Sequence, residues 1–152
     1  MKITAYDFVE GIHYRKLSDV ERKASKWKYV LLRDVSVDVV SWPIRRETFY
    51  LNNFSGKTWG IMAPTRCVVT KGYAWDGSSC SPDRYALFES LWHDLFYQFS
   101  GLRAFPLTRY QCDLFFYSMR KNWIKAIYFL GVRLGGWAFY GRNPNGLWID
   151  MV

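Results

Sequence analysis

Cysteine is scarce in this chain and has no pattern. Cys67, Cys80 and Cys112 are an odd set without Cys-x-x-Cys spacing, which argues against a zinc site or a disulfide framework. A long uncharged apolar run is also missing. The most apolar stretch, from Trp123 to Gly141, is broken by Lys125, Arg133 and several glycines, and suits a buried or interfacial helix better than a transmembrane one. The opening residues MKITAYDFVEG place Asp7 and Glu10 where a secretory signal needs its apolar run. The reading is therefore a reducing, intracellular location with no signal peptide. Acidic residues are in deficit, 13 against 21 lysines and arginines, for a formal net charge of +8. Such a balance favours anionic partners: nucleic acid, phosphate esters or an acidic membrane face. No nucleic-acid-binding motif accompanies it.

What is present is apolar and aromatic. Of 152 residues, 50% are hydrophobic and 20% aromatic, which excludes disorder and leaves aromatic rims for a binding surface. The length predicts one domain, 1–152. Within it, 26–75 reads as a sheet-rich half and 76–141 as a helical half. Segments WKYVLLRD, VSVDVVSW, ETFYLNN, KTWGIMA and RCVVTKGYAW are rich in β-branched and aromatic residues and are punctuated by Pro43, Asn52-Asn53, Gly56 and Pro64. Beyond Trp75 the period becomes helical, over Pro82 to Phe99, Thr108 to about Asn122, and Trp123 to Phe139. The expected fold class is α+β: a small, mostly antiparallel N-terminal sheet, then three helices, two of them an antiparallel pair.

The first of these helices poses a chemical question. Ser81-Pro82 offers its start and Ser100-Gly101 its stop. Tyr85, Phe88, Trp92, Leu95, Phe96 and Phe99 form one apolar face. On that spacing His93 falls at the border of the face and Asp94 on its far side. A core helix gains nothing from an adjacent ionisable pair, because a buried charge without a partner is costly. If the next helix packs antiparallel across SGLRAFP, Asp113 comes level with His93. Its carboxylate would fix the tautomer of the ring and leave the other nitrogen to take a proton from water. The alternative is a structural hydrogen bond tying two helices. Asp94 has a partner of its own in the loop GYAWDGSSCSPD, where Asp76 precedes a glycine and two serines. Two carboxylates with backbone carbonyls and water make an oxygen-rich site suited to calcium; the alternative is an ordinary turn.

The series Asp76-Gly77-Ser78-Ser79, Ser81-Pro82, His93-Asp94 with Tyr97, then Asp113 and Met119 resembles the catalytic segment of bacterial and fungal secretory phospholipases of the A-two type. That resemblance covers roughly Asp76 to Met119. It implies His93 as the base that activates water, Asp113 as its orienting partner, and Asp76 and Asp94 as calcium ligands. Ser78 and Ser90 stand where the lipases have a cysteine pair, so the disulfide clamping loop to helix is absent, as suits a reducing compartment. The sheet-like first half has no counterpart in those small helical enzymes. The same segment with the following aromatic and glycine-rich helix is also similar to a phage-encoded family catalogued as a domain of unknown function. This implies a viral gene product in the host cytoplasm, at the periphery of the inner membrane, or in the virion.

Tyr73, Trp75, Ser79 and Tyr97 are candidates to line a substrate slot, with core packing the alternative for the aromatics. Ser79 lacks the strand-turn-helix elbow of a serine nucleophile. His13 is solitary, Glu89 reads as a solvated edge residue, and the basic run Arg15, Lys16, Arg22, Lys23, Lys26 and Lys28 as a solvated face broken by Asp19 and Glu21. Three functions remain open: a calcium-dependent hydrolase of a phospholipid or other anionic ester, a non-enzymatic phage accessory protein that binds a host or virion component and keeps the His/Asp cluster structurally, and a nucleic-acid binder using the basic surface, which a steep salt dependence would mark. For the tail GRNPNGLWIDMV, Trp148, Ile149 and Met151 are expected to pack back or pair with another subunit.

Overall fold

The computed structural model describes residues 4–8, 12–53, 55–77, 86–102, 104–119 and 125–135. The N-terminal portion consists of strands β1 (Thr4–Phe8) and β2 (Tyr14–Lys16), helix α1 (Asp19–Ser25), and strands β3 (Tyr29–Leu31), β4 (Val35–Ser41), β5 (Phe49–Asn52), β6 (Thr58–Met62), β7 (Arg66–Val69) and β8 (Ala74–Trp75). Helices α2 (Leu87–Phe99), α3 (Arg109–Met119) and α4 (Lys125–Gly135) follow. The class is α+β, sheet first and helices after, and every strand pair is antiparallel.

Among the described residues there are two sheets, of five strands in the order β1-β4-β7-β6-β5 and of three in the order β2-β3-β8. β4 shows why one face is buried: Val35, Val37 and Val39 are buried, while Ser36 and Asp38 on the other face are partly exposed. The run RCVVTKGYAW, expected as one strand, supplies one strand to each sheet. The chain breaks at Lys71-Gly72, where Gly72 has φ +87° and Tyr73 N–H bonds Thr70 O at 3.3 Å. A left-handed residue ends the first strand and re-aims the chain.

Before Lys26, α1 is closed by a capping box: Ser18 Oγ accepts from Glu21 N–H at 3.4 Å, and Ser18 N–H donates to Glu21 Oε2 at 2.8 Å. Arg15 grips the same carboxylate with two bonds of 2.8 Å. That grip leads the interactions that pull the Glu21 carboxyl down to about 2.

The core lies between the five-stranded sheet and the helices, joining Val37, Leu51, Trp59, Met62 and Val69 to Leu91, Trp92, Leu95, Phe96 and Phe115. Helix α2 sits directly on β6. A Cβ at Gly60 would stand 2.9 Å from a methyl carbon of Leu95, so only glycine permits this approach without displacing a neighbour. α2 starts at Leu87 with Ala86 as its N-cap, later than the expected Pro82; the Ser81-Pro82 pair lies outside the described residues. α3 starts as expected after Thr108, which exchanges side-chain bonds with Gln111. α4 falls within its expected span, whose two ends lie outside the described residues, and packs on α3 while Ile127, Leu130 and Leu134 stay exposed. Among the described residues no helix is long and apolar enough to cross a membrane. Cys67 and Cys112 are buried free thiols; Cys80 and the C-terminal tail lie outside the described residues.

Candidate functional site

Burial of Leu91, Trp92, Leu95, Phe96 and Phe99 fixes the rotation of α2 about its axis. His93 and Asp94 are thereby left at the rim, with side chains 13% and 21% exposed. α3 runs back along α2, setting Arg109 beside Tyr97 and Phe116 beside His93. One turn of α3 buries Cys112, Asp113, Phe115 and Phe116 together, which puts the Asp113 carboxylate inside the helix pair at 0% exposure. The His93 ring is held between Tyr97, at 3.9 Å between centroids, and the edge of Phe116, at 5.4 Å.

A carboxylate this deep requires partners, and it has three. Asp113 Oδ1 faces His93 Nε2 at 3.4 Å and accepts the Tyr97 hydroxyl at 2.5 Å; Oδ2 accepts from Arg133 Nη1 at 2.8 Å. Burial pushes the carboxyl up, but the hydrogen bonds from His93, Tyr97 and Arg133 outweigh it and hold the group below the usual carboxylate range. It is ionised at neutral pH. Behind it, Arg109 Nε donates to the Tyr97 hydroxyl at 3.3 Å, and its Nη2 donates to the carbonyls of Val132, at 3.3 Å, and Arg133. A guanidinium thus binds carbonyls at the end of α4, where the helix dipole favours a cation.

The other edge of the ring faces Asp94. His93 Nδ1 lies 3.9 Å from Asp94 Oδ1. The second oxygen of Asp94 accepts the backbone N–H of Asp76 at 3.3 Å, so Asp94 is turned toward the 76–77 loop. Gly77 has φ +80°, a left-handed conformation that favours glycine. Asp76 Oδ1 is 3.6 Å from Lys28 Nζ, and Lys28 N–H bonds Trp75 O at 3.0 Å, which ties the lysine's backbone to the residue before Asp76. Burial lowers the His93 pKa, but its hydrogen bonds to Asp113 and Asp94 and their charges outweigh that and raise it above the ordinary value. Asp94 is raised, first by burial and further by the charge of Asp76.

Of the residues singled out from the sequence, His93, Asp113, Asp94 and Asp76 meet in one place. Tyr97, expected as substrate lining, is buried and gives its hydroxyl to Asp113. Tyr73 and Trp75, also expected as lining, are in the core at 0% exposure, against Trp59 and Tyr29 respectively. The aromatic core reading therefore describes these two: Trp75 is buried within β8, which packs against α2, and Tyr73 is buried immediately before that strand. Ser79 lies outside the described residues. Arg109 and Arg133 were missed, although for Arg133 the signal was present: a charge inside the apolar Trp123–Gly141 stretch needs a partner for the same reason that His93 and Asp94 do. Lys28 was read as part of a solvated face and instead pairs with Asp76. Among the described residues no three or more His, Cys, Asp or Glu side chains are grouped to hold a metal. Comparison with family models, with curated proteins and with solved structures returns no match.

Proposed function

We propose that this chain hydrolyses an anionic ester, a phospholipid or another phosphate-bearing substrate, with His93 as the base that activates water and Asp113 as the group that orients it. The observation that supports this is the difference between the two ring nitrogens. Nε2 faces a buried, ionised carboxylate at 3.4 Å, whereas Nδ1 faces the partly exposed Asp94, at 3.9 Å. Hydrogen on Nε2 leaves the Nδ1 lone pair to accept a proton from water. The water oxygen then attacks the ester carbon, the carbonyl electrons move to oxygen, and collapse of the tetrahedral species expels the alcohol, which takes the proton back from the ring. Asp113 and Asp94 stabilise the positive charge that the ring carries in between.

Asp94 and Asp76 would hold calcium, the cation that the resemblance to secretory phospholipases implies. What supports this is that Asp94 accepts the backbone N–H of Asp76, and that the Asp94 carboxyl is raised first by burial and then by the charge of Asp76, a charge that a hard cation would offset. When bound, calcium would stabilise the oxyanion electrostatically. Lys28 supplies part of that compensation at Asp76, so a cation competes with the lysine. The net charge of +8 draws anionic substrates or an acidic membrane face toward the protein.

The test is hydrolysis of mixed phospholipid vesicles with and without calcium by the wild type and His93→Ala. The expected result is calcium-dependent turnover that falls by about 10²–10⁴-fold in the variant while its circular dichroism and melting remain cooperative. Turnover that survives the substitution refutes the reading. The competing function is a non-enzymatic phage accessory protein that binds a bacterial or virion component. It is favoured by the fact that the two shortest bonds to Asp113 come from Tyr97 and Arg133, not from His93. Stoichiometric binding with no turnover and no calcium requirement would select it.

A further inference from the structure

Asp113 is held from three helices: its own, α2 through His93 and Tyr97, and α4 through Arg133. Its two oxygens are not equivalent. Oδ1 is shared by Tyr97 and His93, and Oδ2 is given to Arg133 at 2.8 Å. A single hydroxyl fixes the position of one oxygen and leaves the carboxylate plane free to turn, because the terminal torsion of an aspartate is broad and roughly two-fold. A guanidinium on the second oxygen stops that rotation. It is itself restrained, since Arg109 on α3 bonds the carbonyls of Val132 and Arg133. Each of α3 and α4 thus sends one arginine into the other, one to a backbone end and one to the buried carboxylate.

We propose that Arg133 is a positioning residue of this site: by holding Asp113 Oδ2 it keeps Oδ1 aimed at His93 Nε2 and so selects the ring tautomer with hydrogen on Nε2 and the lone pair on Nδ1. The functional consequence rests on the reading of His93 as a base, but the positioning itself does not require turnover. It makes α4 part of the site, although its apolar residues Ile127, Leu130 and Leu134 are exposed. Because the two bonds from Arg109 still anchor the end of α4, loss of the Arg133 guanidinium acts locally.

The experiment reads the tautomer directly. The chain has only two histidines, and His13 is exposed, so a long-range proton–nitrogen correlation spectrum of the isotope-labelled full chain, at a pH where both rings are neutral, resolves His93 with His13 as internal reference. The wild type is expected to show His93 with hydrogen on Nε2 and a wide separation between its two ring-nitrogen shifts. Arg133→Gln loses that separation as the tautomers mix. Arg133→Lys is intermediate, since an ammonium delivers a point charge without the planar fork. His13 stays constant throughout. A wild-type His93 pattern in Arg133→Gln overturns the proposal, as does hydrogen on Nδ1 in the wild type. If Arg133→Gln does not melt cooperatively, Arg133→Lys decides alone: a detectable Nδ1–H population supports the proposal and its absence overturns it. Failure to find a substrate leaves this readout unchanged, so the two readings fail separately.

Discussion

Removing one oxygen atom tests the arrangement around Asp113. In Tyr97→Phe the ring remains stacked on His93 and the side chain remains buried; what is lost is the 2.5 Å bond to Asp113 and the 3.3 Å bond from Arg109. A hydrogen bond to a charged group contributes about 1.5–3 kcal/mol. Asp113 still has His93 on Oδ1 and Arg133 on Oδ2, so the carboxylate is not orphaned and the expected loss lies in the lower part of that range, about 1.5–2 kcal/mol. For a chain of this size each kcal/mol lowers the melting midpoint by about 2–4 °C, which predicts a fall of about 3–8 °C. Urea unfolding of the wild type, Tyr97→Phe, Asp113→Asn and the double variant closes a cycle that isolates the pair. An interaction energy of about 1–2 kcal/mol is expected, within the range measured for residues of one hydrogen-bonded network. Additivity within about 0.5 kcal/mol would mean that the hydroxyl does not bind this carboxylate. The position of Asp113 Oδ1 would then rest on His93 and on the grip of Arg133 on Oδ2 alone.

Two further outcomes follow from the same structure. The folded His93 pKa is raised above its unfolded value, so its stabilisation is fully present below the unfolded pKa and disappears as pH rises through the folded one. Asp113 is lowered, so its contribution is present above the unfolded carboxylate value and disappears as pH falls through the folded one. Urea midpoints of the metal-free chain should therefore decline as pH rises above the ordinary histidine value of about 6.5, with a shallower decline in His93→Gln; equal slopes in the two proteins would contradict the sign. Gly60→Ala brings a methyl within 2.9 Å of Leu51 and Leu95 side-chain ends that can give way, for a cost of about 1 kcal/mol. Gly72→Ala forces φ +87° on an L-residue and also meets a Trp59 ring carbon at 3.3 Å, for about 2 kcal/mol; the reverse order in urea unfolding would contradict the account.

Strand character was legible where side chains alternate. The valines of β4 declare their buried face in sequence, and β3, β5 and β6 fall within the expected runs. What periodicity does not encode is the partner. Nothing in RCVVTKGYAW says that Arg66–Val69 pairs with β4 and β6 while Ala74–Trp75 pairs with β3, so two sheets were read as one. The elements before Lys26 were missed for different reasons. β1 is short and carries Asp7, and β2 has three exposed residues, so neither shows an apolar alternation. For α1 the capping box Ser18-x-x-Glu21 was in plain view among basic residues and was not used.

At the candidate site, spacing was informative because two helices joined by a short connection have little choice of register: His93 and Asp113 come level once α2 and α3 are antiparallel. Spacing said nothing about Arg133, which reaches Asp113 from a third helix whose placement no local pattern specifies. The rule that raised the question of His93 and Asp94 would have raised this one. A charge in an apolar helix stays charged only if something in the fold answers it, and Asp113 at 0% exposure needs more than one imidazole at 3.4 Å to remain ionised. The unpaired demand of Asp113 and the unexplained arginine in Trp123–Gly141 are two halves of one requirement. Pairing them from sequence would have placed α4 against α3 and made the site a property of three helices instead of two.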